Sequence, residues 1–315
     1  MEKNSEYIIE ISNLVKTYGS LTAVNNISLK VKRGSLFAFL GINGAGKSTT
    51  INIISSILKK DSGIVIVDGY DLDKEANEIK NEIGIVFQTS VLDDLLTVEE
   101  NLKTRARFYN LSKEVTAQRI KVISEMLKLE PILKRPIKKL SGGQKRRVDI
   151  ARSIIHEPKI LILDEPTTGL DPKTRIDVWK LINDIRLRTN MTVFLTTHYL
   201  EEAEKATYVT IMNKGEIIAE GTPTDLKNRY STDSIIIYTK KDDKFKNAFK
   251  GYKYRYSTDQ KAYIVSVKDP KEAKDFLLKF KDIIEDFEVR KGDMDDVFLN
   301  VTGQNIIDSE GEDEK

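Results

Sequence analysis

Cysteine is absent from this 315-residue chain, so no disulfide can hold its fold together, which suits a reducing compartment such as the cytosol. Charge of one sign is lacking too. Lys and Arg number 51 against 49 Asp and Glu, which gives no bulk electrostatic reason to expect nucleic acid as a partner. No run approaches the ~18 consecutive apolar residues of a membrane span, and the opening M-E-K-N-S-E-Y-I-I-E has no apolar stretch of signal-peptide length. The expectation is a chain that does not cross a membrane alone, so any membrane role comes through a partner. Histidine occurs only twice.

Hydrophobic residues make up 40% and charged residues 32%, enough for a core beneath a heavily charged surface. At 35.9 kDa the chain reads as soluble and globular, one large domain with a small appendage. From about residue 35 short apolar runs alternate with helical patterns: S-L-F-A-F-L-G, then K-S-T-T-I-N-I-I-S-S-I-L; later I-L-I-L-D-E, then a helix from Pro172 to Arg188. Such alternation predicts a parallel α/β sheet. Tyr7 to Val31 reads as short strand pieces, broken at Tyr18-Gly19 and Asn25-Asn26, of an antiparallel layer. Residues 97–156 look nearly all helical, so a helical subdomain over about 89–157 is expected within the α/β body. Composition changes near residue 230, where the first domain (1–230) is expected to end; a small accessory domain follows over 231–302, and the acidic stretch 303–315 is expected to be a disordered tail.

The spacing Gly41, Gly46, Lys47, Ser48 matches a phosphate loop, with an apolar strand running in and a helix leaving. Glycines let successive N–H groups converge on one point, Lys47 supplies positive charge for the β and γ phosphates, and Ser48 offers a hydroxyl to Mg²⁺. The apolar run Ile160–Leu163 ends in Asp164-Glu165-Pro166. Ligands in open parallel sheets sit beyond the carboxyl ends of strands, so Asp164 can hold Mg²⁺ and Glu165 can accept the proton of an attacking water; a plain helix cap is the other reading. The strand Ile83–Phe87 stops at Gln88, and Thr192–Thr197 stops at His198. Four strand ends thus present chemistry to one sheet edge. His156 receives no role.

A second glycine motif, K-K-L-S-G-G-Q-K-R-R at 138–147, opens a helix on which Val148, Ala151 and Ile155 share a face. Ser141 is a good N-cap, and Ser141-Gly142-Gly143 present N–H groups at a positive dipole end. The alternative is an ordinary capped helix. Nothing obviously folds residue 141 over the chain's own phosphate loop, so the simplest use for this second anion site is the nucleotide of another copy: two subunits head to tail would sandwich two ATP molecules.

Taken together, these motifs closely resemble the ATP-binding cassette (ABC) ATPases, over residues 5 to 228: the phosphate loop, a Q-loop at Gln88, the signature L-S-G-G-Q at Leu140–Gln144, the acids Asp164-Glu165, a D-loop G-L-D-P at Gly169–Pro172 and a switch histidine at His198. The resemblance implies a P-loop NTPase fold with ATP and Mg²⁺ as cofactors. It places phosphate contacts at Gly41, Asn43, Gly44, Ala45, Gly46, Lys47, Ser48 and Thr49, and adenine stacking on Tyr18. Further nucleotide contacts are implied at Ser141, Gly142, Gly143, Gln144 and Asp171, a metal at Ser48, Gln88 and Asp164, and catalytic roles for Lys47, Gln88, Glu165 and His198. It also implies a head-to-tail dimer, a homodimer by expectation, at the cytoplasmic face of the cell membrane. Within the family, T-T-G-L-D-P, T-T-H-Y-L-E-E-A-E and the ending G-D-M-D-D-V-F-L-N-V-T-G resemble the daunorubicin-resistance drug-export type, which pairs with a separate ABC-2 permease; Gln144-Lys145 departs from that subgroup's frequent S-G-G-M-x-R. Drug, antibiotic, lipid or other small-molecule export is the expectation. An importer ATPase, a soluble cassette acting on ribosomes or DNA, and a non-hydrolysing binding module are the alternatives, and nucleic acid is not expected as a partner.

Overall fold

A computed structural model describes residues 5–242, 245 and 248–303. The chain divides into two compact units between Glu220 and Gly221, each with a core of its own.

The first unit holds two sheets. Strands β1 (Tyr7–Tyr18), β2 (Leu21–Lys32), β4 (Ser62–Val67) and β5 (Tyr70–Asp71) form an antiparallel sheet in the order β2-β1-β4-β5. The sequence suggests broken pieces here, yet β1 and β2 run twelve residues each. Asn13 and Asn26 take left-handed φ values of 51° and 52°, conformations asparagine tolerates, and the register shifts between Ile11 and Leu14. Their side chains meet at 3.0 Å. The asparagines therefore bulge the strands without ending them.

The second sheet is built from β3 (Leu36–Leu40), β6 (Ile83–Val86), β7 (Ile160–Asp164), β8 (Thr192–Thr197), β9 (Tyr208–Asn213) and β10 (Glu216–Gly221), in the order β10-β9-β3-β8-β7-β6. The five strands from β9 to β6 are paired in parallel, as the alternation of the sequence predicts. Helix α1 (Lys47–Ile54) supplies Ile51, Ile53 and Ile54 to a core shared with Ile9 and Leu14 of the antiparallel sheet and Phe37, Phe39, Ile162 and Phe194 of the parallel one. The rings of Phe37 and Phe194 lie 5.0 Å apart. Burying strands on both faces requires such uninterrupted apolar runs.

Helix α2 (Ala76–Glu82) precedes β6. Between β6 and β7 come α3 (Val98–Arg107), α4 (Lys113–Leu127) and α5 (Gly142–Ile154), capped by Thr97, Ser112 and Ser141. The stretch 91–96, at the start of the expected subdomain, is irregular, and regular helix begins at Val98 behind the Thr97–Glu100 capping box. Helices α6 (Pro172–Thr189) and α7 (Leu200–Ala203) flank β8.

The second unit contains α8 (Pro223–Tyr230), then β11 (Asp233–Tyr238), β12 (Tyr254–Ser257), β13 (Ala262–Val267), α9 (Pro270–Lys279), β14 (Phe287–Arg290) and α10 (Met294–Thr302). Its antiparallel sheet has the order β12-β13-β11-β14. Phe249, Tyr263 and Phe276 centre an aromatic core. Helix α8 belongs with this unit although the composition changes only after it. It packs on α10, and Asn300 donates to the Tyr230 carbonyl at 2.7 Å. The acidic residues 304–315 lie outside the described residues.

Candidate active site

Parallel pairing brings the carboxyl ends of β3, β8, β7 and β6 to one edge of the sheet, and each of these ends carries a residue singled out by sequence. After β3 the chain turns through Gly44 and Gly46, with φ of 75° and 107°. A Cβ on Gly46 would stand 2.3 Å from the Ala23 carbonyl oxygen, so only glycine fits there. Helix α1 then starts with no side-chain cap and no acidic residue in its first turn, whereas α3, α5, α6 and α8 are all side-chain capped. A bare helix N-terminus behind a glycine loop favours an anion.

Lys47 is buried and donates to the carbonyls of Gly41 at 2.7 Å and Ile42 at 3.0 Å. Its Nζ lies 3.7 Å from Glu165 Oε1. Burial pushes the Lys47 ammonium below the usual lysine range, and the carboxylates of Glu165 and Asp164 oppose that push.

Glu165 takes a left-handed φ of 46°, uncommon for a side chain of this size and typical of functional sites. Its N–H donates to both the carbonyl and the hydroxyl of Thr196, each at 3.2 Å, which holds the turn. Oε2 of Glu165 accepts from Gln88 Nε2 at 3.4 Å and from Thr168 Oγ1 at 3.3 Å, and lies 3.2 Å from His198 Nδ1. Burial acts to raise this carboxyl, but His198, Lys47 and Thr168 outweigh it and hold it below the usual glutamate range. Asp164, by contrast, is pushed up by burial; Glu165 adds to the rise, while Thr196, Lys47 and Ser48 oppose it. Thr196 donates to Asp164 Oδ1 at 2.6 Å. Two adjacent carboxyls thus have opposite tendencies, one an ionised acceptor and one a hydroxyl-bound neighbour of Ser48.

Residues Lys47, Ser48, Gln88, Asp164, Glu165 and His198 therefore converge on one another. Tyr18 closes β1 and is about half exposed, with Lys16 Nζ over its ring at 5.6 Å from the centroid. The signature and D-loop residues adjoin each other elsewhere: a Cβ on Gly142 would touch Leu170 at 3.7 Å, and one on Gly143 would meet Thr174 at 2.4 Å. Asp171 caps α6 through Thr174. Ser141 and Gln144 form a reciprocal capping box, with Gln144 N to Ser141 Oγ at 3.3 Å and Ser141 N to Gln144 Oε1 at 3.0 Å. Among the described residues no hydrogen bond or ion pair joins Ser141–Gln144 to the phosphate loop.

Sequence reasoning missed several supports. Thr196 organises both acids. Glu202 is buried beneath the site and accepts from Thr167, from Thr197 at 2.6 Å and from Trp179 Nε1 at 2.8 Å, joining the segment after Glu165 to the strand before His198. Its motif T-T-H-Y-L-E-E-A-E was visible; the partners at 167 and 179 were not. His156 also has a role in packing: its ring stacks on Tyr109 at 3.8 Å and bonds the Ile83 carbonyl at 3.1 Å.

The chain matches the ABC transporter family model over residues 24–168. It is 33% identical to a daunorubicin resistance ATP-binding protein of Streptomyces coeruleorubidus, over 94% of this chain and 96% of that one. It is 41% identical to a linearmycin resistance ATP-binding protein of Bacillus subtilis over 74% and 75% of the two chains, and 32% identical to a Nod factor export ATP-binding protein of Cupriavidus pinatubonensis over 96% and 92%. A solved dimeric ATP-binding cassette in a post-hydrolysis state bound to ADP and Pi superposes with a TM-score of 0.62 at 31% identity, covering 68% of this chain and 98% of that one.

Proposed function

The chain belongs to the ABC transporter ATPases, and we propose that it is the ATP-hydrolysing subunit of an exporter that drives a drug, antibiotic or similar small molecule through a separate ABC-2 type permease. ATP-binding subunits of this family work as dimers with membrane components. Among the described residues no helix is long and apolar enough to cross a membrane, and in this reading the translocation path belongs to the permease. The observation that carries the export reading is coverage. A relative named for daunorubicin resistance and one named for Nod factor export match 94% and 96% of the chain, through the C-terminal unit, whereas the linearmycin resistance relative covers 74% and the solved cassette 68%.

At the site, the triphosphate lies on the N–H groups of the 41–49 loop, with Lys47 exchanging the Gly41 and Ile42 carbonyls for phosphate oxygens. Ser48 and Asp164 fit a divalent cation, since a hydroxyl and a buried carboxyl already face each other there, and Gln88, whose amide reaches the adjacent Glu165, is the third ligand in this reading. Magnesium bound there would supply neutralising charge on the phosphates. Glu165, held ionised, accepts the proton of the attacking water, and His198 and Gln88 fix its carboxylate and face the γ-phosphate. In this reading Ser141, Gly142, Gly143, Gln144 and Asp171 complete the nucleotide site of a second copy, and the permease would hold the pair at the cytoplasmic face of the membrane.

Efflux of daunorubicin from cells that express the chain together with a six-span permease, should a neighbouring reading frame encode one, tests this reading. Loss of efflux with Glu165→Gln is expected. A solute-binding protein in place of that permease, with uptake and no efflux, would reverse the direction assigned.

A further inference from the structure

Helix α5, which begins at the signature, returns to the Gln88 loop one turn into its length. The Arg146 guanidinium is buried and donates Nη1 to the Phe87 carbonyl at 2.8 Å and Nη2 to the Gln88 carbonyl at 3.0 Å. Asp149, three residues on, accepts from Ser90 Oγ at 3.0 Å. Two successive peptide carbonyls are thereby gripped by one planar fork, a geometry that a lysine cannot reproduce. One of them belongs to the residue whose side-chain amide reaches Glu165. Ser141 caps the same helix five residues earlier, about 7.5 Å along its axis at 1.5 Å per residue.

A single helix therefore has the cap that serves one nucleotide at its N-terminus and a clamp on the loop that serves another nucleotide one turn later. We propose that Arg146 is a positioning residue that couples the Gln88 loop of a chain's own ATP site to the orientation of its Ser141–Gln144 cap, so that occupancy of one site of the dimer is felt at the other. A shift of the Phe87–Gln88 backbone cannot occur without moving α5 or breaking the hydrogen bonds from Arg146. This inference rests on the head-to-tail reading above, in which Ser141 faces the partner's nucleotide.

The test uses full-length protein. In the Glu165→Gln background, monomer binding of a fluorescent ATP analogue and ATP-driven dimerisation are measured separately; with Glu165 intact, the ATP dependence of hydrolysis is recorded. Arg146→Met is expected to bind the analogue within twofold of its parent yet to need about tenfold more ATP for half-dimerisation, a coupling loss in the usual range. Its Hill coefficient should fall toward one. Arg146→Lys should recover part of both, and Ser90→Ala should shift both the same way, by less, without a change in melting temperature. Wild-type dimerisation and cooperativity in Arg146→Met and Ser90→Ala would overturn the proposal. If Arg146→Met fails to fold, Arg146→Lys and Ser90→Ala decide on the same criteria. Absence of any ATP-driven dimer in Glu165→Gln with Arg146 intact would remove the head-to-tail reading itself, and the coupling with it.

Discussion

His198 and Glu165, from the ends of neighbouring parallel strands, meet with Nδ1 3.2 Å from Oε2. The same oxygen takes Gln88 and Thr168, and the other lies near Lys47. The carboxylate is thus fixed by groups from four separate parts of the chain before any substrate arrives, which is the preorganisation a proton acceptor needs. Replacing it by an amide of the same shape keeps the positions and removes the basicity. Glu165→Gln should retain ATP binding and lower kcat by about a hundredfold or more, the scale of general-base loss. Turnover within a factor of two of wild type, measured by phosphate release, would take Glu165 out of that role.

Lys47 has a second duty in the structure, since it bridges the carbonyls of Gly41 and Ile42. Lys47→Ala deletes this internal brace together with the positive charge that the proposed function assigns to the phosphates. ATP affinity should fall by about 10- to 100-fold, from loss of a charge-assisted hydrogen bond worth ~1.5–3 kcal/mol. Titration calorimetry reads the affinity directly; an unchanged dissociation constant would show that the lysine does not contact phosphate.

His156 gives a pH signature apart from catalysis. Burial pushes its imidazole from 6.5 down to about 4. The folded state therefore resists the proton that the unfolded chain accepts, so the unfolded state binds more protons between pH 6.5 and 4. Stability from this group is full above about pH 6.5 and is lost as pH falls toward 4, at no more than about 1.4 kcal/mol per pH unit. His156→Phe keeps a ring against Tyr109 and removes the titration. Denaturant unfolding at several pH values reads the stability gap between the two proteins, which should move in favour of the His156→Phe variant as pH drops through this window. A gap independent of pH would mean that the imidazole titrates normally.

How much of this was legible depended on how local each cause is. The 41–49 loop, the strand ends at Gln88, Asp164 and His198, and the cap at Ser141 are encoded within a few consecutive residues, and the structure places them as the sequence suggests. Asn13 and Asn26 were harder, because asparagine ends a strand or bulges it depending on a neighbour that supplies the missing bond. Glu202, Thr167 and Trp179 form one buried cluster from distant segments, and no spacing rule announces it. Arg146 looked like one more cation in K-R-R until its two carbonyl acceptors were in view.

The irregular stretch after Gln88 bears on docking to a membrane partner. Val91 and Leu95 are exposed, Leu95 by 77%, while Leu92 and Leu96 are half-buried. The loop is anchored beneath: Asp93 N donates to Asn101 Oδ1 at 2.9 Å, and Lys145 pairs with Asp94 at 3.0 Å. An exposed leucine on a loop already held at Asp93 and Asp94 has little to do for the fold, and apolar residues so placed suit a partner's helix. Its continuity with Gln88 would carry movement from the γ-phosphate to that partner. Leu95→Asp should leave melting temperature and basal ATPase unchanged but abolish co-purification with the permease and drug efflux. Leu92→Asp, at a half-buried site, should cost stability as well, so the exposed position is the cleaner probe. Normal efflux in Leu95→Asp would place the coupling surface elsewhere on the helical segment.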